Sequence, residues 1–316
     1  MGYKIFIDGQ EGTTGLKIGK RLRERNDLEV LSIAAEDRKD LGARLEMIRR
    51  ADISFLCLPD AASKEIAGLA DPSSRILDTS TAHRTDKNWV YGFPELTGAQ
   101  KETIRESNRI AVPGCHATGF ISLVKPLIAL DIIDKDYPLA CHSVTGYSGG
   151  GKSMIAQYEW DLRDRAFDSP RQYGLDQNHK HLPEMQAVTG ISSPPAFHPI
   201  VAPYYSGMLA TVPLHSRLMK RKLSLSELQQ KFEEYYRGRP LIRIRNAAEK
   251  PADGAAGFIS AGAFAETDGL EIYVLGNDKQ ITLVARFDNL GKGASGAAIQ
   301  CMNIMLGLPE EEGLVL

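Results

Sequence analysis

Apolar residues recur along this chain with two different periods, and the alternation between those periods is the first structural signal. Tyr3 to Asp8 is a short apolar run of strand type, Gly9-Gln10-Glu11-Gly12-Thr13-Thr14-Gly15 follows it, and Leu16, Ile18 and Leu22 then recur at helical spacing. Strand, glycine loop and helix succeed one another. Leu28 to Ala34 predicts a second strand, Ile53 to Pro59 a buried one ending in a loop, and Arg75 to Ser80 another. Helical patterns at Lys39 to Arg50 and Ala62 to Ala70 lie between them, which predicts βαβ units and a doubly wound parallel sheet of Rossmann type.

After Cys115 the texture changes. Phe120 to Leu130 is apolar and helical, Ala140 to Thr145 reads as a strand, and the loop Gly146 to Gly151 leads to a charged helix around Met154 to Arg165. Pro194-Pro195 and Tyr204-Tyr205 mark loops. Met208 to Pro213, Leu241 to Arg245, Phe258 to Phe264, Leu270 to Leu275 and Gln280 to Phe287 predict strands, several with polar alternation, as in a mostly antiparallel sheet with one covered face. The small-residue-rich stretch Gly293 to Leu306 is helical and too short to form a domain alone. The expected class is therefore α/β: a dinucleotide domain over residues 1–114, completed by 290–316, and an α+β catalytic and oligomerisation domain over 115–289. No internal repeat or low-complexity tract is visible.

Composition adds exclusions. With 316 residues, 43% hydrophobic and 25% charged, the chain has the length for two domains, each with a full core. The net charge of -2, with Lys and Arg spread along the chain, supplies no basic footprint for nucleic acid or an anionic membrane, so neither is expected as a partner. Met1-Gly2-Tyr3-Lys4 runs directly into Ile5-Phe6-Ile7 without the pattern of a signal peptide, and no apolar run reaches transmembrane length. Cys57, Cys115, Cys141 and Cys301 are widely spaced and form no C-x-x-C pair, which disfavours a disulfide scaffold and a zinc ribbon and points to a reducing cytoplasm. The open sheet face expected in the second domain suggests subunit pairing, as a homodimer or homotetramer.

Among the cysteines, Cys57, Cys141 and Cys301 sit in apolar runs, the ordinary place for a small buried hydrophobe. Cys115 differs, because Pro113-Gly114 forces a turn ahead of it and Ala117-Thr118-Gly119 opens a helix behind it. A helix N-terminus favours the thiolate, so Cys115 reads as a candidate nucleophile, with a buried thiol as the alternative. His179-Lys180-His181-Leu182-Pro183-Glu184 offers two histidines on an extended segment. They lack the helical H-E-x-x-H arrangement and a fourth ligand, so general acid/base work fits better than zinc, and no metal is expected. Gly146 to Ser153 matches the phosphate-loop pattern G-x-x-x-x-G-K-[ST] in full, yet no apolar run ending in Asp follows to hold magnesium. The segment is expected to be an anion-friendly glycine loop instead. The Gly9, Gly12, Gly15 spacing lets a backbone approach a pyrophosphate at a helix N-terminus. After the second strand, Glu36-Asp37 would suit a ribose hydroxyl and Arg38-Lys39 a 2′-phosphate; Ser32 together with Arg38 and Lys39 favours NADP, with a solvated charge run as the alternative.

At Gly9 to Gly15, Tyr91 to Leu96, Val112 to Gly119, His179 to Glu184 and Asn289 to Gly296, the chain resembles the shorter variant of the N-acetyl-gamma-glutamyl-phosphate reductases, over nearly its whole length. The Pro-Gly-Cys and His-x-His-x-Pro-Glu motifs together are specific, whereas each glycine loop alone is not. The resemblance implies NADP-dependent reduction of an acyl phosphate to a semialdehyde with release of phosphate, in arginine biosynthesis, on a fold of the aspartate-semialdehyde-dehydrogenase type. It implies Cys115 as nucleophile, His181 as acid/base with His179 as the other candidate, and Arg84 of Asp78-Thr79-Ser80-Thr81-Ala82-His83-Arg84 on the phosphoryl group. Gly114, His116 and Glu184 are expected beside the substrate. Thr13, Thr14, Pro59, Ser80, Gly149 and Asn289 are expected to join Gly9, Gly12, Gly15, Ser32, Arg38 and Lys39 in holding NADP. The family commonly carries an aromatic residue directly after the cysteine, where this chain has His116, a further candidate base. Reduction of an aminoadipyl or aspartyl phosphate, a P-loop nucleotide-binding protein and a non-catalytic dinucleotide sensor are the competing readings.

Overall fold

The computed structural model describes residues 2–245 and 257–316. The chain forms two compact units, Met1–Gly114 with Ala294–Leu314, and Cys115–Gly293 with Val315–Leu316. In the first, strands β1 (Tyr3–Asp8), β2 (Leu28–Leu31), β3 (Ile53–Leu56), β4 (Ile76–Asp78), β5 (Val90–Tyr91) and β6 (Arg109–Ala111) make one sheet in the order β2-β1-β3-β4-β6-β5. Every pairing in it is parallel. Strands β3 and β4 and the last four residues of β1 are buried throughout, which is why they read as continuous apolar runs. Ile5 and Ile7 join a core with Ile18 and Leu22 of α1 (Thr13–Arg23) and with the C-terminal helix Gly296–Leu306. Phe6 points to a second core with Ile48 of α2 (Leu41–Arg50) and Ile66 of α3 (Asp60–Leu69). Helix α4 (Gln100–Glu106) buries Ile104 in the first core.

The strand order reverses between β1 and β3, the place where open α/β sheets bind ligands beyond their strand ends. The expected second strand is shorter than its apolar run, so Ser32 and Ile33 lie past the sheet, beside a cavity at that switch point.

The second unit opens with α5 (Cys115–Ala129), followed by β7 (Ala140–Gly146), α6 (Gly151–Glu159), β8 (Arg171–Gln172), α7 (Leu182–Thr189), β9 (Ala196–Ala202), β10 (Met208–His215), α8 (Leu225–Tyr235), β11 (Ile242–Arg245), β12 (Leu270–Gly276) and β13 (Gln280–Phe287). Its sheet runs β11-β12-β13-β10-β7-β9-β8. Four of its six pairings are antiparallel, and β7–β9 and β11–β12 are parallel. Alternation is plain on β10, where Met208, Ala210, Val212 and Leu214 are buried and Pro213 and His215 are exposed.

Three elements depart from expectation. Phe258–Phe264 is no strand: its end is a short helical turn, Gly262–Phe264, and the Phe264 ring lies 5.1 Å from the buried Arg286 guanidinium. Gly207, at φ +111, lets this segment close in, since a Cβ there would meet the Ala261 carbonyl oxygen at 2.2 Å. Conversely β9, expected as a Pro-rich loop, is a strand despite Pro199 within it. The helix expected to reach Arg165 stops at Glu159, and Asp164 caps a new turn by accepting from the Ala166 amide at 2.8 Å.

Helix α5 is buried on nearly all sides, from His116 to Val124 and again at Pro126 and Leu127, as an apolar helix without an amphipathic stripe must be. It lies on β10 and β13 through Gly119, where a Cβ would sit 2.5 Å from the Ala210 Cβ and 3.0 Å from the Phe287 ring. Gly119→Ala is therefore expected to cost about 1–3 kcal/mol through overpacking. Urea midpoints of the two proteins test it, and an unchanged midpoint would mean that the helix rides on the sheet less closely than these distances imply.

Candidate active site

Cys115 is the first residue of α5 and is half-buried. At that position the first amides of the helix have no intrahelical acceptor, and the positive end of the helix dipole favours a thiolate. The other cysteines lack this setting. Burial pushes the thiols of Cys57 and Cys141 up to about 12, and the buried Cys301 thiol donates to the Gly92 carbonyl at 3.3 Å. Beside Cys115 runs the turn after β13. A Cβ on Gly293 would lie 2.9 Å from the Cys115 Cβ and 3.1 Å from the Asp288 carbonyl oxygen, so glycine alone fits.

The histidine pair does not lie on an extended segment. His179 precedes a turn, and His181 is the N-cap of α7, a helix that begins with Leu182-Pro183 and ends at Gly190 in the left-handed conformation. The turn brings His179 and His181 together with ring centroids 4.9 Å apart, and His116 of α5 lies 5.4 Å from the first and 5.6 Å from the second. Phe197 of β9 closes the group, 5.3 Å from His116 and 5.1 Å from His179. Glu184 is buried in the first turn of α7, the end of a helix where an acid is favoured.

His116 is buried, with Nδ1 2.7 Å from Ser143 Oγ and Nε2 2.7 Å from the Tyr173 hydroxyl. Burial, then the charges of His179 and Lys180, holds its pKa down to about 3. It is thus neutral, one ring nitrogen donating and the other accepting. Burial, then Lys180, brings His179 to about 4, and its Nδ1 accepts the His181 backbone N–H at 3.2 Å. Burial, then the charge of Cys115, raises the Tyr173 hydroxyl above its ordinary range. Among the described residues no group of three or more His, Cys, Asp or Glu is arranged to hold a metal ion.

The phosphate-loop look-alike resolves differently from its motif. Its strand and helix are there, as β7 and α6, but the amides of Gly146, Tyr147 and Ser148 donate to the carbonyls of Gly207, Tyr204 and Tyr205 at 3.1, 2.9 and 3.0 Å. Amides spent in this way cannot cradle a phosphate. An aspartate does follow a buried strand, Asp288 after β13, contrary to the sequence reading. It is fully buried and accepts from the Leu290 and Gly291 amides at 2.6 and 3.2 Å, from Ser206 Oγ at 3.1 Å and from the Glu266 amide, which leaves it to organise the turn and not a magnesium ion. Asn289 is likewise engaged, accepting from the Gly207 amide and donating to Ser148 Oγ, each at 3.0 Å, with Gly149 next in line.

In the first unit a cavity of about 470 Å³ opens at the switch point, bordered by Gly9, Ser32, Arg38, Lys39, Leu58 and Pro59. Gly9, at φ +85, and Gly15 both exclude side chains: a Cβ would meet the Cys57 carbonyl oxygen at 2.3 Å or the Gly9 carbonyl oxygen at 2.5 Å. Gly12 is the N-cap of α1, no side chain caps that helix, Thr13 and Thr14 are its first residues, and the buried Thr13 Oγ1 has no hydrogen-bond partner among the described residues. An uncapped helix start after the glycine loop, and a cavity bordered by Arg38, Lys39 and Arg44, fit a dinucleotide carrying an extra phosphate. Ser80 lies apart, its hydroxyl donating to Asp78 at 2.7 Å. Arg84 is buried and donates through Nε to the Val112 carbonyl and through Nη2 to that of Thr79, both at 2.9 Å, so it braces the chain leading to Pro113-Gly114.

Residues 115–289 match the family model described as semialdehyde dehydrogenase, dimerisation domain, and residues 4–105 match semialdehyde dehydrogenase, NAD binding domain. The N-acetyl-gamma-glutamyl-phosphate reductase 2 of Nostoc sp. is 45% identical over 98% of this chain and 99% of its own length. The N-acetyl-gamma-glutamyl-phosphate reductase of Brucella suis is 44% identical over 97% of this chain and all, 100%, of that protein. The chain belongs to the N-acetyl-gamma-glutamyl-phosphate reductases of the semialdehyde dehydrogenase family. Its fold is that of aspartate semialdehyde dehydrogenase II from Vibrio cholerae, at a TM-score of 0.71 and 16% identity over 97% of this chain and 99% of that one. The Francisella tularensis aspartate semialdehyde dehydrogenase gives the same TM-score, 0.71, at 14% identity over 96% and 100%.

For a member of this family, three parts of the site have no motif of their own in the sequence: Tyr173 and Ser143 on His116, and Gly293 against Cys115. Only Gly293 carried a signal, lying within the Asn289 to Gly296 stretch. Among the described residues no helix is long and apolar enough to cross a membrane.

Burying a neutral histidine links stability to pH. The unfolded chain takes up a proton near pH 6.5, whereas folded His116 stays neutral down to about 3, so its contribution is intact above 6.5 and falls away progressively below. The expected loss from His116 is about 2 kcal/mol between pH 7 and pH 5. His116→Gln, which keeps a donor and an acceptor but takes no proton, should flatten that part of the urea-denaturation profile. Equal losses in both proteins would assign the acid sensitivity to other groups.

Proposed function

We propose that the protein reduces N-acetyl-gamma-glutamyl phosphate to N-acetyl-glutamate semialdehyde, with NADPH as reductant and inorganic phosphate as co-product, the step of arginine biosynthesis that its relatives' names describe. The observation that carries this reading is Cys115 at the head of a buried helix, adjoining a packed group of three imidazoles, in a chain 45% identical to a named reductase over nearly its full length.

The Cys115 thiolate attacks the acyl carbon, the C–S bond forms, and the C–O bond to phosphate breaks with the electron pair leaving on phosphate. Amides at the start of α5 stabilise the oxyanion on either side of the thioester. Arg84, braced by the Val112 and Thr79 carbonyls, offsets charge on the departing phosphate. Gly9 to Gly15 with Ser32, Arg38 and Lys39 would hold NADPH, which would supply the hydride that the thioester carbon accepts. The C–S bond then breaks, and His181 supplies the proton that the released thiolate takes up. The assignment to His181 follows from its neighbours: His116 has hydroxyls on both ring nitrogens, and the His179 Nδ1 holds a backbone amide.

A reduced Cys115 suits the cytoplasm, and none of the four cysteines is joined in a disulfide. Assembly as a homodimer or homotetramer is supported by the match of residues 115–289 to a dimerisation domain.

The test runs the reaction backwards at alkaline pH, following NADPH formation from N-acetyl-glutamate semialdehyde, NADP and phosphate. Turnover should require phosphate and fall to background in Cys115→Ala, which should still bind NADPH. Phosphate-independent turnover, or an active alanine variant, would exclude the thioester route. Turnover with aspartate semialdehyde in its place would move the substrate and leave the chemistry.

A further inference from the structure

Arg44 lies outside every role given above, yet it is the most deeply buried cation on the wall of the dinucleotide cavity. It projects from α2 and is 9% exposed. Its Nε donates to Asp8 Oδ2 at 2.9 Å. Its Nη2 lies 2.8 Å from the same oxygen as an ion pair, but among the described residues this buried nitrogen makes no hydrogen bond of good geometry. Asp8, the last residue of β1, is itself 6% exposed, and burial, opposed by Arg44, raises its carboxyl above the usual range. An arginine fork half-used by one carboxylate is an incomplete arrangement for so buried a charge, because a buried donor left unsatisfied is costly.

The same wall carries Ser32, Arg38 and Lys39, with Glu11 and Asp8 as its carboxylates. Three cations face two anions. Arg38 is paired to Glu11 at 3.0 Å, with both side chains more than half exposed, at 51% and 67%. Water and salt weaken a charge so exposed, whereas a buried guanidinium keeps its strength and offers a fork matched to phosphate oxygens. Ser32 follows the end of β2, where dinucleotide folds place the adenosine ribose and its 2′ position.

The geometry points to Arg44 as the residue that reads the 2′-phosphate of NADP, with Asp8 holding the guanidinium in place and Arg38 and Lys39 forming an outer rim. This rests on the dinucleotide reading above. It adds that cofactor choice is made by a residue of α2 behind the cavity, and not chiefly by the charged run after β2. The competing account is a strut that only ties α2 to β1, in which case Arg44 would affect both cofactors through stability alone.

Calorimetric binding of 2′,5′-ADP and of 5′-AMP separates the two without any turnover. Arg44→Gln should weaken 2′,5′-ADP by about tenfold to a hundredfold and 5′-AMP by less than about threefold, the difference being one charge-assisted phosphate contact. Arg38→Gln should cost less than that, and its effect should shrink as salt is raised. Asp8→Asn, which removes the competing carboxylate charge, should hold or tighten 2′,5′-ADP. Equal weakening of both nucleotides by Arg44→Gln, or no weakening, overturns the assignment. Should Arg44→Gln fail to fold, Arg44→Lys keeps a charge but loses the fork, and a selective loss of at least about fivefold for 2′,5′-ADP is expected, an unchanged preference being the contrary result. Wild-type protein that binds neither 2′,5′-ADP nor NADPH would remove the dinucleotide reading itself.

Discussion

The carboxylate of Asp288 is the constraint on which the second unit's site depends. Fully buried at the end of β13, it gathers the amides of Leu290, Gly291 and Glu266 and the Ser206 hydroxyl, and its own carbonyl accepts the Gly293 amide at 3.0 Å. Those bonds fix the path of the turn, and the turn sets Gly293 against Cys115 with no room for a Cβ. Asn289 extends the same lock to Ser148 and Gly207. A side chain at a helix start is only as well placed as the segment packed on it, and here that segment is held by a saturated acceptor.

Desolvation is the second organising force, and it acts on the histidines in a graded way. His116 is the most enclosed, sits at about 3 and has both nitrogens engaged, so it works as a neutral spacer between Ser143 and Tyr173. His179 is nearer the surface and sits at about 4. Burial thus holds two of the three neighbouring imidazoles neutral. The departure from an aromatic residue after the cysteine therefore places a neutral, fully engaged imidazole at that position.

In the first unit the charges follow burial in a similar order. Arg38 and Glu11 meet in water at the rim, while Arg44 and Asp8 meet behind it, where each bond is stronger and each missing bond more costly. The glycine loop in front is fixed by close backbone approach, since Gly9 and Gly15 each lie within a Cβ's reach of a carbonyl oxygen. Backbone shape sets the form of the loop, and side-chain charge is concentrated on the cavity wall beyond it.

Much of this was legible in one dimension because its physics is local. Continuous apolar runs gave the parallel strands, since burial on both faces needs no polar alternation, and Pro113-Gly114 before Cys115 marked a helix start by turn chemistry alone. The Ser224-x-x-Glu227 capping box of α8 was equally local, yet no helix was assigned there. Other features were decided only by packing. Phe258–Phe264 has a strand's pattern but is drawn to the buried Arg286, and β9 forms around Pro199 because β7 and β8 flank it. The glycine loop at Gly146 spells a phosphate motif, and whether its amides are available depends on carbonyls nearly sixty residues further along the chain. Ser143, Tyr173 and His179 meet His116 only once β7, β8 and the turn before α7 are in place, and Arg44 meets Asp8 only when α2 lies on β1. The sequence by itself determined the fold class, the helix start at Cys115 and the family, because turn chemistry and apolar period are properties of neighbouring residues. Which amides, imidazoles and guanidinium groups are free to act was decided by the tertiary structure, because burial and partnership are properties of residues far apart in the chain.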